Sequence, residues 1–151
     1  MDENLPEAPH ILIVEARFYP AIADEMAKGA EAWLSARGCT FERVSVPGAF
    51  EIPGAIGFAA DGGKFDGYVA LGCVIRGETT HYDYVCIESA RGLQDLALNR
   101  RLAIGYGILT VENDRQAWAR ASVEQGDKGG KAAEACYEML QLRHKFGSSA
   151  R

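Results

Sequence analysis

The chain has 151 residues, 48% apolar and 25% charged, an ordinary globular composition long enough for one domain with a core of its own. A net charge of −5 and a pI near 5.2 argue against nucleic acid or an anionic membrane surface as a partner. No apolar run approaches the ~18 residues of a membrane span.

The opening MDENLPEAPH is acidic and proline-bearing and lacks the basic and apolar regions of a signal peptide, so residues 1–9 read as a mobile arm. Residues 10–147 read as one domain and 148–151 as a tail. The first strand is His10–Glu15, HILIVE. A helix follows from Pro20, with Ile22, Met26, Ala30, Trp33 and Leu34 on one face and Gly38 as its left-handed cap. Phe41–Val46 is the second strand, ended by Pro47 and Gly48, and Glu51–Ala60 the second helix. Asp61–Asp66 is a turn. Tyr68–Ile75 is a continuous apolar run, the pattern of a strand buried on both faces. A third helix runs from Tyr82 to about Asn99 and carries Val85, Ile87, Leu93, Leu96 and Ala97. Leu102–Leu109 is the fourth strand, and Thr110 caps a helix over Glu112–Ala121. After a polar break at Val123–Gly130, Lys131–Lys145 forms the last helix, with Ala132, Ala133, Cys136, Met139 and Leu140 toward the core. Alternating strands and helices predict an α/β, three-layer, flavodoxin-like domain: a four-stranded parallel sheet of order 2-1-3-4 with helices on both faces. Cys39, Cys73, Cys86 and Cys136 have no CxxC spacing and read as buried free thiols of a cytoplasmic protein.

In such a sheet ligands bind beyond the carboxyl ends of the strands. Polar and aromatic residues collect there: Arg17-Phe18-Tyr19 after strand 1, Ala49-Phe50-Glu51 after strand 2, Arg76 to His81 after strand 3, and Tyr106 toward the end of strand 4. The opposite ends carry mainly turn glycines. The stretch Gly67–Val85 concentrates the signal, a buried strand opening through Gly77 into Glu78-Thr79-Thr80-His81 at a helix start. First-turn N–H groups there have no intrahelical partner and suit an anion. Each residue also has a plainer reading: Phe18 as packing, Glu51 as a first-turn acid, the threonines as caps, Arg120 and Lys128 as solvated charges. His10, His81 and His144 lack paired ligand spacing, so no metal site is expected.

Four segments carry a closer likeness: ARFYPAI at 16–22, VPGAFEIPGAI at 46–56, ALGCVIRGETTHYDYV at 70–85, and GILTVENDRQAWARA at 107–121 with DKGG at 127–130. With their spacing the chain resembles the lumazine synthases of riboflavin biosynthesis over nearly its whole length. The resemblance implies condensation of 5-amino-6-(D-ribitylamino)uracil with 3,4-dihydroxy-2-butanone 4-phosphate to 6,7-dimethyl-8-ribityllumazine, without a cofactor. It implies that Phe18 stacks on the pyrimidine and that Ala49, Phe50 and Glu51 line the ribityl and ring pocket. Val74 and Ile75 would contact the uracil. Gly77, Glu78, Thr79, Thr80 and Arg120 would hold the phosphate, with His81 as proton shuttle. Tyr106, Arg120 and Lys128 would reach the pocket of a neighbouring subunit, so the partners are two small molecules and other copies of the chain.

The residue types suit that chemistry. The substrate amine is the nucleophile, so no activated serine or cysteine is required. Histidine is the side chain whose ordinary titration falls near neutrality. Holding two substrates together supplies much of the acceleration. Two positions depart from the family pattern: Tyr19 stands where asparagine is common and Tyr106 where phenylalanine is. The break SVEQGDKGG lacks the glycine-lysine-alanine-glycine-asparagine pattern of sixty-subunit capsids, which favours a free pentamer. The competing readings are a non-catalytic flavin- or lumazine-binding protein and a flavodoxin-like redox or receiver module. The latter calls for a phosphate loop or acidic cluster after strand 1, which Ala16-Arg17-Phe18 does not supply.

Overall fold

Strand β1, His10–Ala16, alternates between two cores. Ile11 and Ile13 point into one apolar cluster and Leu12, Val14 and Ala16 into another, all at 5% exposure or less. That is the signature of a central strand covered on both faces. The structure, a computed structural model, describes residue 5 and residues 8–151. The expectation of a mobile arm falls largely outside the described residues; of those described, Leu5 is buried against the first cluster, and the Pro9 carbonyl accepts from the Thr40 N–H at 3.0 Å.

Helix α1 spans Pro20–Ala36 and β2 spans Thr40–Val46. Helix α2 is Ile52–Gly62, β3 Gly67–Ile75 and α3 His81–Asn99. Strand β4 is Ile104–Val111, α4 Asp114–Ala121 and α5 Lys128–Lys145. The sheet is wholly parallel with order β2-β1-β3-β4, as the alternation predicts. Residues of α1, α4 and α5 build the first cluster, on one face; α2 and α3 build the second, on the other. Among the described residues no helix is long and apolar enough to cross a membrane.

Element ends differ from the sequence expectations for local reasons. Helix α2 runs through Asp61 and Gly62 because Gly63, at φ 68°, takes the left-handed cap. Thr110 does not cap α4; it lies in the β4 ladder opposite Val74. The cap is Asn113, whose side chain accepts from the Gln116 N–H at 2.9 Å. Helix α5 begins at Lys128, earlier than expected, because the Asp127 carboxylate caps it through the Gly130 N–H. Ile87 and Met139 face outward, at 61% and 48% exposure. All four cysteines are free, but only Cys39 and Cys136 are buried; Cys73 and Cys86 are half-buried.

Two glycines set the distance of α5 from its neighbours. A Cβ at Gly105 would run into the Ala132 carbonyl, and one at Gly129 into the Met26 carbonyl. The helix thus lies backbone-close on β4 and α1. Among the described residues Glu15 is the one ionisable side chain of the buried polar group, 3% exposed near the end of β1.

Candidate active site at the carboxyl rim of the sheet

The carboxyl rim of the sheet is stepped. Strand β1 pairs with β3 only as far as Glu15 opposite Leu71, whereas β4 follows β3 to Ile75 opposite Val111. From Gly72 to Ile75, β3 therefore has no strand partner on the side of β1. Its main-chain donors and acceptors on that side, those the β4 ladder does not use, face the step. Val74 and Ile75, both half-buried, lie on this stretch.

Around the step stand the residues that follow β1 and β2. Phe18 is 72% exposed, and its aromatic neighbour is Tyr19, edge-on at 4.9 Å. A short 3-10 turn, Ala49–Glu51, packs against β3 and α3; Ala49 is buried, while Phe50 and Glu51 are exposed. An exposed flat ring is a stacking surface that the core does not use.

Beyond β3 the chain turns through Gly77-Glu78-Thr79-Thr80 into α3. Among the described residues no group accepts from the N–H of any of these four. Thr80 sits at the N-cap, but its hydroxyl makes no capping bond; its carbonyl accepts from Asp83 at 2.9 Å. Thr79 Oγ1 accepts from the His81 N–H at 3.3 Å. Free N–H groups, two hydroxyls and the positive end of an α-helix form a cradle for an anion. His81 is the first residue of α3 and its side chain is exposed beside that cradle.

Arg76, named from the sequence only among the polar residues after strand 3 and given no role, anchors the turn. Its Nε donates to Glu112 at 2.9 Å, its Nη1 lies 3.4 Å from Asp83, and its N–H extends the ladder to Val111. An arginine between an apolar strand and a glycine, with acids downstream, is the signal that could have flagged it.

The remaining candidates lie elsewhere in the chain. Tyr106 is not near the carboxyl end of β4, as expected, but in its first half, opposite Ala70. It lines a groove of about 590 Å³ with Ala90, Arg91, Leu93 and Gln94 of α3. Burial pushes its phenol up, nearby Cys86 adds to the shift, and the Ser89 hydroxyl opposes it. Arg120 occupies the last turn of α4, donating to the Gln116 carbonyl at 3.0 Å. Lys128 opens α5. Helices α4 and α5 flank the opposite sheet face from α3. Among the described residues no hydrogen bond or ion pair joins Tyr106, Arg120 or Lys128 to His81. Nor is any group of three His, Cys, Asp or Glu placed to hold a metal ion.

A parallel α/β sheet with an anion cradle, a histidine and exposed rings at its carboxyl rim defines a small-molecule enzyme of the doubly wound class. A family model described as 6,7-dimethyl-8-ribityllumazine synthase matches residues 8–144. The chain is 58% identical over 144 residues to 6,7-dimethyl-8-ribityllumazine synthase 1 of Rhizobium meliloti (strain 1021), covering 92% of this chain and 94% of that protein. It is 51% identical over 150 residues to the synthase of Bartonella tribocorum, covering 99% of each. To that of Sphingopyxis alaskensis it is 56% identical over 138 residues, 91% of this chain and 97% of that protein. The chain belongs to the 6,7-dimethyl-8-ribityllumazine synthase family, transferases of riboflavin biosynthesis.

Proposed function

We propose that this chain condenses 5-amino-6-(D-ribitylamino)uracil with 3,4-dihydroxy-2-butanone 4-phosphate to 6,7-dimethyl-8-ribityllumazine, the penultimate step of riboflavin biosynthesis. The observation that carries this reading is the four-residue row of unpartnered N–H groups, Gly77–Thr80, running directly into His81. A leaving phosphate and the proton transfers that accompany its departure then share one turn of chain.

The uracil 5-amino group attacks the ketone carbonyl and a water leaves, giving an imine. The C–O bond to phosphate breaks as a proton is removed from the adjoining carbon. The enol left by this elimination tautomerises to a ketone, and the ribityl-bearing nitrogen closes on that new carbonyl with loss of a second water. His81 moves protons between these steps, because each interconverts an acid and a base near neutrality. Gly77, Glu78, Thr79 and Thr80, with Arg120, hold the phosphate. Phe18 stacks on the pyrimidine, Val74 and Ile75 present main-chain groups to it, and Ala49, Phe50 and Glu51 receive the ribityl chain. No cofactor takes part in this scheme.

Tyr106, Arg120 and Lys128 act in the site of an adjacent subunit, in a cytoplasmic homopentamer. Supporting this, among the described residues no hydrogen bond or ion pair ties those three side chains to His81 of their own chain. Helix α3 also carries an exposed stripe with Tyr84, Ile87 and Leu98 at 68%, 61% and 67% exposure. Apolar rows of that kind belong to interfaces. The test mixes the purified protein with both substrates and follows lumazine absorbance and phosphate release together. Equal appearance of the two supports the reading; no product at any pH near neutrality overturns it and favours a binding protein.

A further inference from the structure

We infer that Arg17, clamped between Glu15 and Asp24, is a positioning residue that fixes Phe18 for stacking and thereby sets affinity for the pyrimidine substrate. The inference rests on the proposed stacking role of Phe18 and adds what holds that ring in place.

Phe18 has nothing from the core to hold it; it is 72% exposed and touches Tyr19 edge-on. Its place is therefore set by the backbone on either side. On its C-terminal side the chain is already fixed: Pro20 restricts its own φ and opens α1, and the Tyr19 carbonyl accepts from the Ala23 N–H at 2.9 Å. On its N-terminal side the fixing agent is Arg17. Its Nη1 donates to Glu15 Oε1 at 2.9 Å and its Nη2 to Asp24 Oδ1 at 2.7 Å. One guanidinium thus ties the end of β1 to the second turn of α1 across the loop that carries the ring. Glu15 is itself immobilised, since its second oxygen accepts from Arg43 Nε at 2.7 Å on β2. Arg43 in turn reaches Glu31 of α1 at 3.0 Å.

An ion pair with one partner a third exposed and another largely in solvent adds little net stability. What this network supplies is geometry. A planar fork on two acceptors, one of them the immobilised Glu15, holds its own Cα more tightly than a single contact does. A ring ordered before the ligand arrives loses no conformational freedom on stacking, so binding is tighter by the entropy already spent.

The test measures KM for each substrate separately, in the assembled enzyme, for Phe18→Ala, Arg17→Ala, Arg17→Lys and the Arg17→Ala/Phe18→Ala double variant. The expected result is a KM for the pyrimidine about tenfold higher in Arg17→Ala, with KM for the phosphate substrate unchanged. Arg17→Lys recovers part of the loss, since an ammonium reaches one carboxylate but not both. The double variant is no worse than Phe18→Ala alone, as it must be if Arg17 acts through the ring. Arg17→Ala leaves Glu15 paired with Arg43, so the fold survives; should it not, Asp24→Asn, at a side chain 65% exposed, gives the same selective rise in smaller measure. An unchanged pyrimidine KM in Arg17→Ala beside a raised one in Phe18→Ala overturns the positioning role alone. So does an equal rise for both substrates, or additivity in the double variant. No effect of Phe18→Ala overturns the stacking role and this inference with it.

Discussion

The Arg76 guanidinium stacks on Tyr82, its central carbon 4.3 Å from the ring centroid. With its bonds to Glu112 and Asp83, that one side chain braces the exits of β3 and β4 against the first turn of α3. Its charge is stabilised foremost by the Glu112 hydrogen bond, which raises the arginine pKa. Arg76→Ala should therefore loosen the anion turn and little else. Hydrogen exchange should quicken at the His81 and Asp83 amides, which bond to Thr79 and Thr80, while the β3 amide of Val69 keeps its protection. Uniform loss of protection would show that Arg76 supports the whole sheet instead.

His81→Ala should slow turnover without abolishing it, by roughly ten- to a thousand-fold, because proximity of the two substrates survives the loss of a proton carrier. Arg120→Ala should raise KM for the phosphate substrate more severely than His81→Ala does. Steady-state kinetics with each substrate varied in turn checks both. An Arg120→Ala enzyme with unaltered KM and kcat would remove that residue from the site.

The proposed completion of the pocket by a neighbouring subunit would tie activity to assembly. Sedimentation should give a multiple of 16.4 kDa, and Ile87→Glu, which places a charge in the exposed α3 stripe, should yield smaller species with little activity. A fully active 16.4 kDa species would refute the shared site.

Gly105→Ala should destabilise the fold by about 3 kcal/mol, since its methyl group would meet the Ala132 main chain, and backbone yields less readily than a flexible side chain. Urea unfolding of the purified variant measures this. Gly54→Ala is the control, because a methyl group there meets open space.

Alkali should act through the thiols. Burial pushes Cys136 from its ordinary 9.0 up to about 12, and burial with nearby Asp114 pushes Cys73 up to about 11. Folded values above the unfolded ones mean that stability from the protonated thiols is complete below pH 9. It is lost progressively as pH rises from 9 and is gone once pH has passed the folded values of about 11 and about 12. The urea midpoint should thus fall between about pH 9 and pH 11, and more shallowly in Cys136→Ala. Equal slopes in parent and variant would count against Cys136 as a source.

The topology is legible because every connection is short and alternates strand with helix, leaving few chiral arrangements of four parallel strands. The cradle is legible too, as glycine, hydroxyls and a histidine crowd one turn. Ladder register is not. Nothing near Tyr106 reveals that it pairs with Ala70 rather than with the carboxyl end of β3, and nothing near Thr110 reveals that the ladder claims it before a cap can. Long-range polar pairs are equally hidden. Glu15 closes an apolar run and looks like its polar terminus, yet Arg43, which holds it in the interior, lies a whole helix away in sequence. Arg120 and Lys128 take on their proposed role only through the family likeness, since a contact with another copy would leave no periodic trace in a single chain.

The step in the sheet has one more consequence. Along Gly72–Ile75 the edge facing the step is made of main-chain atoms, and every residue but proline supplies the same donor and acceptor. Under the proposed function, side-chain mutation at Phe18, Phe50 or Glu51 would alter which flat ring is preferred and would leave that main-chain edge in place. Drift and redesign at this rim would then fall on selectivity for as long as β3 outruns β1.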